Sequence, residues 1–209
     1  MNNWKLLFLL VLFFLSGCFA NKTPKPGVAC SFLNNNKDLS NVGRAVFLEL
    51  GNDSAYPQIA SDVTDAFYEA VQKKQFFGLT VLRKNDPSWQ NLRLDDFKGY
   101  SLEQFSVIRK ALKCDAVLRG TITRYEPFPH LIIGLRLELI DLNDGQLLWA
   151  IEQIWDASDK STQDRIKYYY DHSVWPRSES LDVGLGMVSS LKFIKFIAYE
   201  SAETLKSKR

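Results

Sequence analysis

The chain has 209 residues, a length that fits one domain or one domain with extensions. Its 26 Lys+Arg nearly balance 24 Asp+Glu, which excludes the strongly basic field of a nucleic-acid binder. Hydrophobic residues make up 46% and aromatics 13%, enough for a buried core and too many for a disordered chain.

The first element is Leu6 to Leu15, uniformly apolar, preceded by Lys5 and followed by Ser16, Gly17 and Cys18. A membrane span needs about 20 apolar residues, so the run reads as the hydrophobic region of a signal peptide. Leu15-Ser16-Gly17-Cys18 resembles the bacterial lipoprotein box, Leu-x-Gly/Ala-Cys. By that resemblance residues 1–17 are the signal peptide. Cleavage falls before Cys18, whose thiol takes a diacylglyceryl group and whose new amine is acylated. The thiol is the nucleophile that thioether formation needs, and the small residues fit a protease groove in the bilayer. Removal of residues 1–17 from the 209 leaves 192; Lys5 is lost, so 25 basic and 24 acidic residues remain, net +1. Several acyl chains, at about 0.8 kcal/mol per buried CH₂, anchor the remainder durably. Phe19 stands where Asp commonly retains an enteric lipoprotein in the inner membrane. The expected address is therefore the cell envelope, on the outer membrane facing the periplasm in a two-membrane host.

Residues 18–41, rich in Asn, Pro, Lys and Gly, read as a flexible tether, with local docking open for Val28 to Leu33. Cys30 and Cys114 are the two remaining cysteines. Outside the cytoplasm they form a candidate disulfide between tether and domain; two unpaired thiols, one buried beside Asp115, are the plainer reading.

A single domain is expected over 42–205, with a sheet core over 44–156 and helices over 158–205. "RAVFLEL" from Arg44 is a covered strand, and Gly51 to Ser54 a turn. Ile59, Val63, Ala66, Phe67, Ala70 and Val71 fall at helical spacing, with Pro57 near the first turn. Phe77 to Leu82 is a second strand, followed by a polar loop. Ser101 opens a helix with Gln104 placed for a capping box and Leu102, Phe105, Ile108 and Leu112 on one face. Three strands follow: "DAVLRGTITRYEP", "HLIIGLRLELIDL" and "QLLWAIEQIWDA". Asp144-Gly145 turns the last pair into a hairpin, with Trp149 expected to pack across it. Leu135, Leu137 and Leu139 share one strand face, Arg136 and Glu138 the other. Gly120 marks a close backbone approach or a bulge. The class is α/β (α+β): a mixed sheet of about five strands with an antiparallel C-terminal meander, helices packed on it, and a C-terminal helix.

From Arg44 to Asp156 this order resembles the α/β domain family shared by the TolB amino-terminal region, LpoB and the CsgG-type envelope lipoproteins. "RAVFLELGNDS", "ASDVTDAFYEAV", "FFGLTVL", "ALKCDAVLRGTIT" and "LRLELIDLNDGQLLWA" carry it. These motifs are structural rather than catalytic, so they speak to fold and setting.

Catalytic signatures are missing from the sequence. His130 and His172 have no ligands at metal spacing, and no Gly-x-Ser-x-Gly elbow or phosphate loop occurs. "GLGMVS", Gly184 to Ser189, follows no strand and reads as a helix start. Asp95 with Asp96, and Glu49 with Asp53, are carboxylate pairs, but only a cleft could make either pair a hydrolase site. Tyr168, Tyr169, Trp175 and Arg177 form a candidate partner-binding cluster, since Tyr, Trp and Arg anchor protein contacts; the plainer reading is that half of these rings fill the seam between late helices and sheet.

The expected function is that of a non-enzymatic, membrane-anchored lipoprotein that binds another envelope component, one version being regulation of a cell-wall synthase. No metal, nucleic acid or small-molecule cofactor is expected. A subunit of a CsgG-like oligomeric secretion assembly and a cell-wall glycan or lipid hydrolase are the alternatives.

Overall fold

The computed structural model describes residues 27–28, 30–94, 100–172 and 189–206. Seven strands form one mixed sheet: β1 (Ser31–Leu33), β2 (Arg44–Leu48), β3 (Gly51–Asn52), β4 (Gly78–Leu82), β5 (Ala116–Glu126), β6 (Ile132–Asp141) and β7 (Leu147–Asp156). Five helices accompany them among the described residues: α1 (Ile59–Gln72), α2 (Pro87–Asn91), α3 (Leu102–Leu112), α4 (Lys160–His172) and α5 (Ser190–Glu203).

The strand order is β1-β7-β6-β5-β2-β4, with β3 extending alongside β5. β4, β2, β3 and β5 are parallel where they pair, because helices make the crossovers. β5, β6 and β7 form the expected antiparallel meander, and β1 closes its far edge antiparallel to β7. The two strands beyond the expected five are the short β1 and β3.

Alternation along β6 sorts the sheet faces as the sequence predicts. Leu135, Leu137 and Leu139 are fully buried on one side, while Arg136 and Glu138 point to the other. The Leu side packs under α1, α4 and α5 in the main core, with Phe47, Phe67, Trp149, Trp155, Phe193 and Phe196 at its centre. Ridges of α1 lie against α5, and Lys74 at the end of α1 pairs with Glu203 at the end of α5. On the opposite face α2 and α3 cover the β2–β4–β5 side and the adjoining β6–β7 turn end. There Trp89, Phe105 and Ile108 meet Val46, Leu48, Val117 and Ile140, with Leu147 packed alongside. The rest of the β6–β7–β1 part of this face lies outside that second core.

Local signals account for several boundaries. Ser101 caps α3 in a complete capping box with Gln104. Asp86 caps α2 through the Ser88 amide at 2.7 Å, with Pro87 at the first helical position. Gly145, at φ 72°, supplies the left-handed residue of the β6–β7 turn, and its amide donates to the Asp141 carbonyl at 2.8 Å.

Two expectations need correction here. The tether does not extend to Asn41: Ser31–Leu33 pairs with Trp149–Ile151, Leu39 is buried, and Lys37 grips Asp141 and Asp144 at 2.5 and 2.6 Å. An open β7 edge accepts any short extended segment with a free backbone ladder, so three residues between turn-rich stretches become a strand. Trp149 does not pack across the hairpin; it lies in the main core, 6.2 Å from the Phe67 ring, and its Nε1 donates to Thr204 Oγ1 at 2.9 Å.

Candidate functional site

The aromatic cluster expected near α4 divides. Tyr170 is buried and its hydroxyl donates to the Lys192 carbonyl at 2.9 Å. Tyr169 is half-buried against Tyr199, Tyr170 and Phe196, at ring distances of 4.7, 4.9 and 6.0 Å, and burial pushes its phenol up. Both rings therefore bind α4 to α5. Tyr168 is half-buried, stacked 4.2 Å from the exposed His172. Trp175 and Arg177 lie outside the described residues, as do Cys18, Asp95 and Asp96.

Beneath α4, Arg165 Nε donates to Glu200 Oε1 at 2.8 Å, and Trp155 Nε1 donates to Glu200 Oε2 at 2.8 Å. Arg165 also reaches Ser161 and Thr162 through its remaining nitrogens. Glu200 is almost wholly shielded, and this saturation of its oxygens is what lets a carboxylate stay in the core.

The structure does not join Cys30 and Cys114. Both are free thiols, Cys30 exposed beside the edge strand β1 and Cys114 buried at the start of β5. Three strand spacings of about 4.8 Å separate β1 from β5, well beyond the roughly 7 Å Cα limit of a disulfide. Burial pushes the Cys114 thiol up to about 11, with Asp115 adding to the shift. At neutral pH it is a thiol, not the thiolate a nucleophile requires.

The described residues bring charged side chains together elsewhere, in a crevice of about 370 Å³ on the second sheet face. It opens beyond the carboxyl ends of the parallel strands β2 and β4, where α/β sheets commonly hold ligands. Glu49 and Asp53 contribute from the segment after β2, Lys84 from beyond β4, Arg119 from β5, and Arg136 and Glu138 from β6. Trp89 and Leu94 form part of its wall. Gly120 admits the close approach expected of it: a β-carbon there would fall 2.4 Å from the Arg136 carbonyl.

Charges in the crevice are cross-linked. Arg119 and Glu138 pair at 2.6 Å, Arg136 and Glu152 at 2.6 Å, and Glu49 accepts from the Lys84 amide at 3.0 Å. The hydrogen bond that Arg136 donates to Glu152, with the attraction of Glu138 and Asp53, holds the guanidinium above its ordinary value. That same bond holds the Glu152 carboxyl below its own. Glu49 and Asp53, one of the carboxylate pairs noted from sequence, thus share a crevice. Glu49 is half-buried there and Asp53 exposed. Asp65, by contrast, lies outside the crevice, solvated and paired with Arg83. Among the described residues no cluster of three His, Cys, Asp or Glu could hold a metal ion.

This convergence was not visible in the sequence, because its six charged residues come from four separate segments. The only local hints are Gly51 and Gly120, where chain and strand must pass closely.

No family model matches the chain, and no curated protein matches it. Solved structures do match, at a distance. The PelC dodecamer from Paraburkholderia phytofirmans is 12% identical, with a TM-score of 0.43 over 64% of this chain and 85% of that one. Lipoprotein GNA1162 from Neisseria meningitidis is 15% identical, with a TM-score of 0.40 over 55% and 80%. The LpoB C-terminal domain from Escherichia coli, a representative of the family that the sequence resembles, is 14% identical, with a TM-score of 0.36 over 55% and 83%.

Proposed function

We propose that this protein is a lipid-anchored lipoprotein of the cell envelope, acylated at Cys18, that works by binding another envelope component rather than by catalysis. In a two-membrane host it sits on the outer membrane and faces the periplasm. The observation that carries the proposal is Leu15-Ser16-Gly17-Cys18 closing a ten-residue apolar run, followed within nine residues by the folded domain. The partner-facing surface is the mixed-charge crevice with the adjoining β6–β7 face. Its paired but solvent-accessible Arg119, Arg136, Glu138 and Glu152 can exchange partners with a protein of complementary charge. Regulation of a cell-wall synthase is one role such a contact would serve.

The experiment is site-specific photo-crosslinking in cells, with the probe at Glu138 and, as control, at Lys110 on α3. A partner captured at 138, absent at 110 and lost in Arg136→Glu supports the reading. Equal capture at both positions, or capture unaffected by Arg136→Glu, contradicts it.

A further inference from the structure

Gly27 is where the described fold begins, and it is held by the domain: a β-carbon there would fall 2.1 Å from Arg165 Nε. Only residues 19–26 separate it from Cys18. Nine Cα steps at about 3.5 Å span at most about 30 Å. An anchor at Cys18 therefore holds one end of the domain close to the bilayer.

That end is defined by register. β1 runs antiparallel to β7, so the chain preceding Ser31 lies toward Ile154 and Asp156. The same end holds the tip of the β5–β6 hairpin, because Glu126 pairs with Ile132 and Ile132 with Asp156. It also holds the start of α5, through the Tyr125 hydroxyl on Ser190 Oγ at 3.2 Å, and Tyr56, edge-on to Tyr125 at 5.2 Å. Seven large apolar side chains are exposed among the described residues, and four of them belong to elements at this end: Tyr56, Phe128, Ile154 and Leu191. Phe128, at the hairpin tip, is 83% exposed. At this end Arg124 pairs with Glu126 at 2.7 Å, and His130 lies 3.7 Å from Asp156.

We infer that the lipid surface is itself a docking partner of the domain, which rests on it by the β5–β6 tip with Phe128 as the inserted side chain. This rests on the reading of Cys18 as the acylated residue. The crevice and the open sheet face then stand sideways to the bilayer, available to a partner at the membrane surface. A partner far across the periplasm lies beyond reach.

The test uses the full acylated protein in phosphatidylcholine vesicles containing nitroxide-labelled phosphatidylcholine. A fluorophore is placed at position 128 by Phe128→Cys or at the opposite end by Lys110→Cys, each with Cys30→Ser. Both sites are exposed, so the fold tolerates them. Flotation with the vesicles is scored first. An interfacial side chain sits about 5–10 Å into the headgroup boundary, so quenching at 128 should exceed quenching at 110 by about twofold or more. Flotation with equal quenching at the two sites overturns the docking inference and leaves the anchor intact. Failure to float overturns the anchor at Cys18, and the inference with it.

Discussion

Gly27 lies against the guanidinium of Arg165, and that guanidinium is itself immobilised on Glu200, Ser161 and Thr162. A larger side chain at 27 must therefore push away its own segment rather than the arginine. Gly27→Leu is expected to free residues 27–30 while the sheet stays folded. Limited proteolysis should then cut near Cys30 several-fold faster than in the parent, with an unchanged urea midpoint. Equal cleavage rates would show that the domain does not grip the chain at this point.

The Glu200 carboxylate is held between Arg165 and Trp155 in a nearly dry site. Removing one partner of such a pair leaves the other charge buried and unmatched, at about 3 kcal/mol. Glu200→Ala should lower the unfolding free energy by that order in urea titration, and Glu200→Gln by less, since the amide oxygen still accepts from Trp155. A loss below about 0.5 kcal/mol for Glu200→Ala would place the pair in solvent.

Gly120 and Gly78 make a matched contrast within one sheet. A β-carbon at 120 meets a backbone oxygen at 2.4 Å, whereas at 78 the nearest atom is 3.5 Å away. Gly120→Ala must part β5 from β6 and is expected to destabilise by about 2 kcal/mol. Gly78→Ala fits and gains up to about 0.5 kcal/mol from lower unfolded-state entropy. Thermal melts of the two variants check the ordering, and a Gly120→Ala protein as stable as the parent would refute the close approach.

Lys37 fastens the edge segment to the β6–β7 turn. Burial disfavours the charged Asp141, yet the Lys37 and Asn143 hydrogen bonds outweigh it and hold the carboxyl below its ordinary 3.8. For Lys37, burial is likewise outweighed, by Asp141 and Asp144, and the amine stays above its ordinary 10.5. A depressed carboxyl stabilises above its unfolded value and loses that contribution as pH falls through the folded one; a raised amine stabilises below its unfolded value and loses it as pH climbs through the folded one. The clamp is thus complete between about pH 5 and 10. Lys37→Ala should speed exchange of the Asn34 amide, which donates to the Leu148 carbonyl at 2.9 Å, about fivefold at pH 7, matching about 1 kcal/mol for a part-buried pair. The difference should shrink by pH 3. A variant indistinguishable from the parent at pH 7 would contradict this.

Much of the fold was legible because its signals are local. The alternation of Leu135 to Leu139, the Ser101–Gln104 box and the Asp144-Gly145 turn each determine an element within a few residues. Strand β1 was hidden because three residues, Ser31–Leu33, owe their conformation to β7 partners 116 or more residues away and not to their own pattern. Helix α2 carried a readable start, Asp86-Pro87, inside a stretch read as polar loop. Tyr169 showed as aromatic and partner-like, but only packing reveals that its ring is committed to Tyr199 and Phe196. The crevice depended on pairing register, which puts Arg119 beside Glu138 and Gly120 beside Leu137. No spacing in one chain specifies that.

Membrane attachment through Cys18 is the claim on which the rest depends, and the intact mass of the mature protein from isolated membranes measures it directly. The expected result is a chain beginning at Cys18 and heavier than residues 18–209 by a diacylglyceryl group and one further acyl chain, with the lighter unmodified mature species absent from the membrane fraction. A chain that begins elsewhere, or one at the unmodified mass in the soluble fraction, contradicts it.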